Sequence, residues 1–311
     1  MKSRLWKIGI LFGIIILFVG AGVFPSISGM FSEKMQNNDL KTVNFFKDEG
    51  TEYWGVCIVA FDGEYDDIKE PFIYNSLLQA DNWDEAHLKL LFREEATRNA
   101  ILGSLDWLID NADEDDVVLF SDHSHGTYRR SDKKYGIVPI DSEVSGIITV
   151  EELDEKFDLI KSKELCLIFD CCLAGNFVEN NHIDINKNNK NIFYNTGFTQ
   201  GIEGDNRIVL MSTVKYGLGI GISVNVSGHA THFSFHRFVG DALGMKIDYN
   251  NDGVCSAEES YNYAKEKWRP YAFMALFMIR MQIATLLSFG FLIIPFPTLY
   301  DNIQGELPIV Y

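Results

Sequence analysis

Two kinds of apolar spacing alternate along the chain. Trp54–Phe61, Val117–Phe120, Leu165–Phe169 and Ile208–Met211 are apolar without interruption, and the first three end in small, polar or reactive residues. Runs of that length are the pattern of buried strands in a sheet covered on both faces, because such strands have no solvent side to alternate toward. Between them the spacing turns helical. Thr97 stands as a cap ahead of Ile101, Leu102, Leu105, Leu108 and Ile109, which form one apolar stripe. Thr149 with Glu152 is a capping box opening a second helix, with Leu153, Phe157 and Ile160 facing inward. A third helical stretch lies around Phe233–Leu243. Strand and helix alternate, so the pattern predicts an α/β fold with a mostly parallel sheet and helices on its faces.

The ends of the chain are patterned differently. Lys2, Arg4 and Lys7 precede the apolar run Ile8–Phe24, which Pro25 and the polar Ser32–Lys41 follow. Residues 1–28 therefore read as a signal anchor or signal peptide and 29–50 as a polar linker. The sites near Ala21 and Ser28 match a small-x-small cleavage pattern poorly, which favours an anchor. The basic flank keeps the N-terminus in the cytoplasm and the folded part outside; if the segment is cleaved, the protein is secreted. Tyr271–Pro297 is again very apolar, broken by Arg280 and Gln282. It reads as a hydrophobic element against the membrane, with a membrane span as the alternative.

Charge narrows the partners. The chain of 311 residues carries a formal charge of -17 and no basic patch, which argues against a nucleic-acid partner. Cys57, Cys166, Cys171, Cys172 and Cys255 are an odd number, and three lie on or beside apolar runs, so they are not a disulfide framework.

Two of the predicted strands deliver reactive groups: Val117–Gly126 reads VVLFSDHSHG and Glu164–Gly175 reads ELCLIFDCCLAG. An imidazole and a thiol at neighbouring strand ends are the minimal apparatus for covalent acyl transfer, in which the imidazole takes the thiol proton and the thiolate attacks a carbonyl. The residues point to a cysteine peptidase acting on a peptide or protein substrate.

The pattern resembles the caspase-like cysteine peptidases, which include caspases, metacaspases and legumain. Their strand ending in His-Gly is matched by His125-Gly126, and their Asp-x-Cys-x-Ser-Gly by Asp170-Cys171-Cys172-Leu173-Ala174-Gly175. The likeness extends over WGVCIVAF, the EEAT beginning at Glu94 and the GELP near the end. It implies a caspase-like peptidase domain at 51–270 and a terminal segment in 271–311 that packs back on it. It also implies Cys172 as nucleophile, with Cys171 a bystander, and His125 as base, with His123 as the alternative. Gly126 and Cys172 would supply the oxyanion-hole N–H groups, and Asp170 a wall of the specificity pocket. A carboxylate there favours Arg or Lys on the acyl side of the cut. A papain-like arrangement around His229 lacks the local signature. The alternative function is a catalytically inactive caspase-like module at the membrane.

Asp248, Asn250, Asp252, Gly253, Val254, Ser256 and Glu259 match the calcium-loop template position by position over 248–259. Calcium is the expected cofactor, as a structural clamp. The Asn- and Lys-rich stretch Asn180–Asn195 reads as an exposed loop, and resembling enzymes are cut after the catalytic cysteine, which makes Lys187 and Lys190 candidate self-processing sites.

Overall fold

Each uninterrupted apolar run forms a strand of one sheet in the computed structural model, which describes residues 50–61, 70–178, 201–219, 221–226, 229–283 and 296–311. Strands β1 (Tyr53–Ala60), β2 (Leu88–Phe92), β3 (Val117–Arg129), β6 (Glu164–Asp170) and β7 (Arg207–Met211) run parallel, in the order β2-β1-β3-β6-β7. Strand β11 (Thr298–Asp301) closes the β7 edge antiparallel. The chain leaves β1 to one side for β2 and then crosses to the other side for β3. In α/β sheets such a reversal, beyond the carboxyl ends of the strands, is where ligands bind.

Strand β3 is longer than its apolar run. Its parallel pairing ends at Ser124 with β1 and at His123 with β6; from His125 it pairs antiparallel with β4 (Lys134–Val138), which also pairs β5 (Ile148–Thr149). The two histidines therefore lie within a strand at the point where it changes partners, and not at its end. The polar residues there hid the continuation, because β-pairing through the main chain does not require apolar side chains.

Pleat alternation sends successive residues of β1 into two cores. Trp54, Val56, Ile58 and Ala60 pack with helices α2 (Arg98–Asn111) and α3 (Val150–Phe157), whose Ile101, Leu105, Leu108, Leu153 and Phe157 are buried. Tyr53 and Cys57 face the other side, against α1 (Phe72–Leu77), α4 (Phe235–Gly244) and α5 (Ala257–Ile283) through Ile73, Leu77, Phe235, Val239 and Trp268. Helices thus cover both faces. Each such leucine or isoleucine contributes about 1.5–3 kcal/mol by leaving water.

The helix starts follow their caps. Thr97 Oγ1 accepts from the Ala100 N–H at 3.2 Å, and the capping box of Thr149 with Glu152 is formed in both directions. Helix α4 begins at Phe235 because Ser234 is extended and caps it through the Arg237 N–H, while Phe233 closes the hairpin of β8 (Ile222–Val226) and β9 (His229–Phe233).

Helix α5 runs without a break through the compositional boundary at 270–271 and carries Pro270 inside it. Near the terminus, β12 (Pro308–Val310) pairs antiparallel with β10 (Cys255–Ser256), and Leu307 and Ile309 are buried. The GELP segment leads into β12. The N-terminal segment 1–28, the linker to residue 49, the stretch Asn180–Asn195 with Lys187 and Lys190, and residues 284–295 of the apolar C-terminal run lie outside the described residues. Among the described residues no helix is long and apolar enough to cross a membrane.

Candidate active site

Strands β3 and β6 are neighbours in register, with His123 opposite Asp170. Beyond that last pair the two chains meet again at a glycine. A Cβ on Gly126 would stand 1.9 Å from the Cys172 carbonyl oxygen and 2.9 Å from Cys171 Sγ, so only glycine lets the main chain after His125 lie against Cys172. His125 is exposed, whereas His123 is 5% exposed. Phe61, just past β1, meets both rings edge-on, at 4.8 Å from His123 and 5.1 Å from His125.

The two cysteines part company here. Cys171 is buried in the α2–α3 core, and Cys172 is half-buried on the rim. Burial pushes the Cys172 thiol above its ordinary value; the Gly219 main chain partly offsets this, and Asp170 adds to it. A raised thiol needs a base beside it to react. Leu173 follows in the left-handed conformation, with φ 66°, and its N–H donates to the Gly217 carbonyl at 2.8 Å.

Behind this rim lies a buried polar layer. Asp170 Oδ2 accepts a 2.8 Å bond from the His236 main-chain N–H, in the first turn of α4, and stands 3.8 Å from His123 Nε2. The His123 ring stacks on that of His236 at 4.9 Å and lies 5.8 Å from that of His232. Burial, then the charges of His232 and His125, hold the His123 imidazole well below its usual range; burial brings His236 to about 3. Asp122, on the opposite side of β3, accepts from Ser124 Oγ at 2.7 Å, and burial raises its carboxyl to about 7.

Residues 67–181 match the family model of the metacaspase, peptidase C14 domain. The matched stretch holds His125, Gly126, Asp170 and Cys172. Metacaspase-2 of Trypanosoma brucei brucei is 32% identical over 94 residues, 28% of this chain and 27% of its own length. Metacaspase-3 of the same organism is 32% identical over 94 residues, 28% of this chain and 26% of its own length. The chain thus spans about a quarter of the length of the curated relatives it matches. A crystal structure of protein GSU0716 from Geobacter sulfurreducens superposes with a TM-score of 0.44 at 8% identity, over 70% of this chain and 89% of that one. The stretch matched by the metacaspase model carries β2, β3 and β6 of the sheet described above.

The loop 248–259 lies outside the metacaspase match. Gly253 takes φ +90°, and Asp248 accepts from the N–H groups of Asn251 at 2.6 Å and Gly253 at 2.9 Å. Asp252 accepts from Val254 at 3.0 Å. Glu259, 4% exposed, accepts from the N–H groups of Tyr249 at 2.5 Å and Ser256 at 3.1 Å. The donor set of carboxylates, the Asn250 amide, the Ser256 hydroxyl and the Val254 carbonyl suits a hard, oxygen-seeking cation. Calcium fits by donor type. Among the described residues, the carboxylate trio whose oxygens lie within 4.8 Å of one another is Asp113, Asp115 and Asp116, at the start of β3. There Asp116 is committed to the N–H groups of Glu52 and Asp113.

Pattern reading passed over three contributors to the site: Phe61, the His232–His236 wall and the glycines beyond β7. Phe61 ends the first apolar run and reads simply as core. The alternating Gly217, Gly219 and Gly221 was a legible signal, since isolated glycines outside regular structure mark close approach of main chain.

Proposed function

We propose that this protein is a metacaspase-type cysteine endopeptidase with Cys172 as nucleophile and His125 as base. The observation that carries this reading is the packing of Gly126, directly after His125, onto the main chain of Cys172. The exposure of His125 and the burial of His123 favour His125 as the histidine a substrate can reach. In the proposed reaction His125 takes the Cys172 thiol proton and the sulfur bonds to the scissile carbonyl carbon. The N–H groups of Gly126 and Cys172 support the developing oxyanion. His125 then gives its proton to the departing amine as the C–N bond breaks. Water, deprotonated by the same imidazole, opens the thioester and restores the thiol.

Asp170 is the proposed determinant of a preference for Arg or Lys. Its Oδ2 accepts from the His236 main-chain N–H, and a substrate cation would pair with Oδ1. Calcium is the proposed ligand of Asp248, Asn250, Asp252, Val254, Ser256 and Glu259, supplying a clamp of charge and no chemistry. An N-terminal membrane anchor, with the catalytic domain outside the cytoplasm, and self-cutting after Lys187 or Lys190 complete the reading; their support is the sequence pattern.

The test is covalent labelling by peptide electrophiles carrying Arg, Lys, Asp or Asn at the acyl position, read by intact mass. We expect one adduct, on Cys172, made faster by the basic probes. It disappears in Cys172→Ala, persists in Cys171→Ala and slows strongly in His125→Ala. Absence of both adduct and turnover in the calcium-supplied wild type identifies an inactive binding module instead.

A further inference from the structure

The chain beyond β7 turns back over the nucleophile. The Gly217 carbonyl accepts from the Leu173 N–H at 2.8 Å, and the Gly219 carbonyl lies 3.6 Å from Cys172 Sγ, within reach of its thiol hydrogen. Gly219 packs flat on the peptide between the cysteines. A Cβ there would stand 2.7 Å from the Cys171 carbonyl carbon and 2.9 Å from the Cys172 nitrogen. Gly175 seats the same segment from below, where a Cβ would be 2.3 Å from the Val214 carbonyl carbon. Residues 214–219 therefore touch the nucleophile turn along its length.

Acyl transfer needs the reverse arrangement, a thiol with room for a carbonyl carbon and an N–H open to an oxyanion. The geometry points to an autoinhibitory strap: residues 214–219 occupy the substrate's place at Cys172, and a peptide reaches the sulfur by displacing them. This rests on the reading of Cys172 as nucleophile. The strap is built to lift. Its hold on the turn is through main-chain groups, which a substrate's own main chain can replace. The side chains of Tyr216 and Leu218 are exposed, so lifting breaks little apolar packing. Tyr216 sits at φ 59°, a left-handed conformation that a bulky residue adopts under strain.

The experiment measures alkylation of the full chain by iodoacetamide, with peptide mapping to separate Cys172 from Cys171. Gly219→Ala places a methyl against main chain and lifts the strap, and the Cys172 rate rises by about tenfold or more. Tyr216→Gly relieves the left-handed strain, the strap settles and the Cys172 rate falls. The buried Cys171 stays slow in both and reports that the core is intact. Equal Cys172 rates in the three proteins, or changes of the opposite sign, overturn the strap. If Gly219→Ala does not fold, the direction in Tyr216→Gly decides alone. Alkylation needs no peptidase activity. A strap response in a protein that cleaves nothing counts against the catalytic reading only, and full turnover with equal alkylation rates counts against the strap only.

Discussion

Asp170 Oδ2 accepts a 2.8 Å hydrogen bond from the main-chain N–H of His236, which ties the end of β6, next to the nucleophile, to the first turn of α4. A carboxylate at a helix N-terminus satisfies an orphan donor and favours the helix dipole. One side chain thus has a structural and a proposed recognition role, and two substitutions separate them. Asp170→Asn keeps an acceptor and loses the charge, costing about 1 kcal/mol of stability, whereas Asp170→Ala orphans the N–H and costs about 1–3 kcal/mol. Both lower kcat/KM for Arg and Lys peptides by about tenfold or more relative to neutral ones. Urea unfolding gives the first comparison and matched peptide substrates the second. An unchanged basic preference in Asp170→Asn makes Asp170 a tie and nothing more.

The stacked histidines make a pH prediction whose sign can be worked out. His236 is 1% exposed, and burial brings it to about 3 in the folded protein. The unfolded chain therefore binds this proton first as pH falls. The stability held by neutral His236 is present above about pH 6.5 and drains by about 1.4 kcal/mol for each unit below it, until the folded value near 3 is reached. His123 is displaced in the same direction, while Asp122 and Glu258, each raised to about 7 by burial, work the opposite way. The whole-protein curve mixes these, so the measurement is a comparison. His236→Phe keeps the main-chain bond to Asp170 and a ring to stack on His123. It should gain on wild type by about 1.4 kcal/mol per unit between pH 6.5 and 4.5. Parallel stability curves would remove His236 from the account.

Calcium, if it binds at 248–259, should act at a distance along the chain. The loop runs into β10, which pairs with β12, and Glu258 accepts from the Leu307 N–H at 3.1 Å. Ordering the loop should therefore fasten the C-terminal strand as well. At calcium a hundredfold above its Kd, wild type gains about 2.7 kcal/mol by mass action. The C-terminal residues should also resist carboxypeptidase longer. Glu259→Gln loses most of both effects. Melting and digestion that ignore calcium and chelator alike in the two proteins rule the ion out.

Much of the architecture was legible from local pattern because local physics produces it. Thr149 and Glu152 form their capping box within a single turn of chain, and Ile101, Leu105 and Leu108 share a helix face by spacing alone. WGVCIVAF reads as a strand buried on both faces and forms most of β1. Legibility failed where pairing through the main chain set the outcome. SDHSHG has no apolar alternation, yet it continues β3 because β4 supplies its hydrogen bonds. The boundary drawn at 270–271 followed composition, while helix α5 follows its own hydrogen bonds through it.

Although β2 (LKLLF) and β4 (KYGIV) escaped it, the sequence by itself determined strands β1, β6 and β7, the apolar start of β3, helices α2 to α4, the loop template at 248–259 and the two residue groups, His125-Gly126 and Asp170–Cys172, that carry the proposed chemistry. Each of these is written in neighbouring residues, where caps, periods and side-chain types act over a few bonds. Only the tertiary structure decided which histidine is exposed, which cysteine faces the core and what lies on the thiol. Those outcomes depend on segments far apart in the chain meeting face to face. Phe61, Gly126, Cys172, Gly219 and His236 are scattered in sequence, and their contacts exist because sheet order and helix packing bring the ends of β1 and β6, the middle of β3, the segment beyond β7 and the start of α4 to one rim.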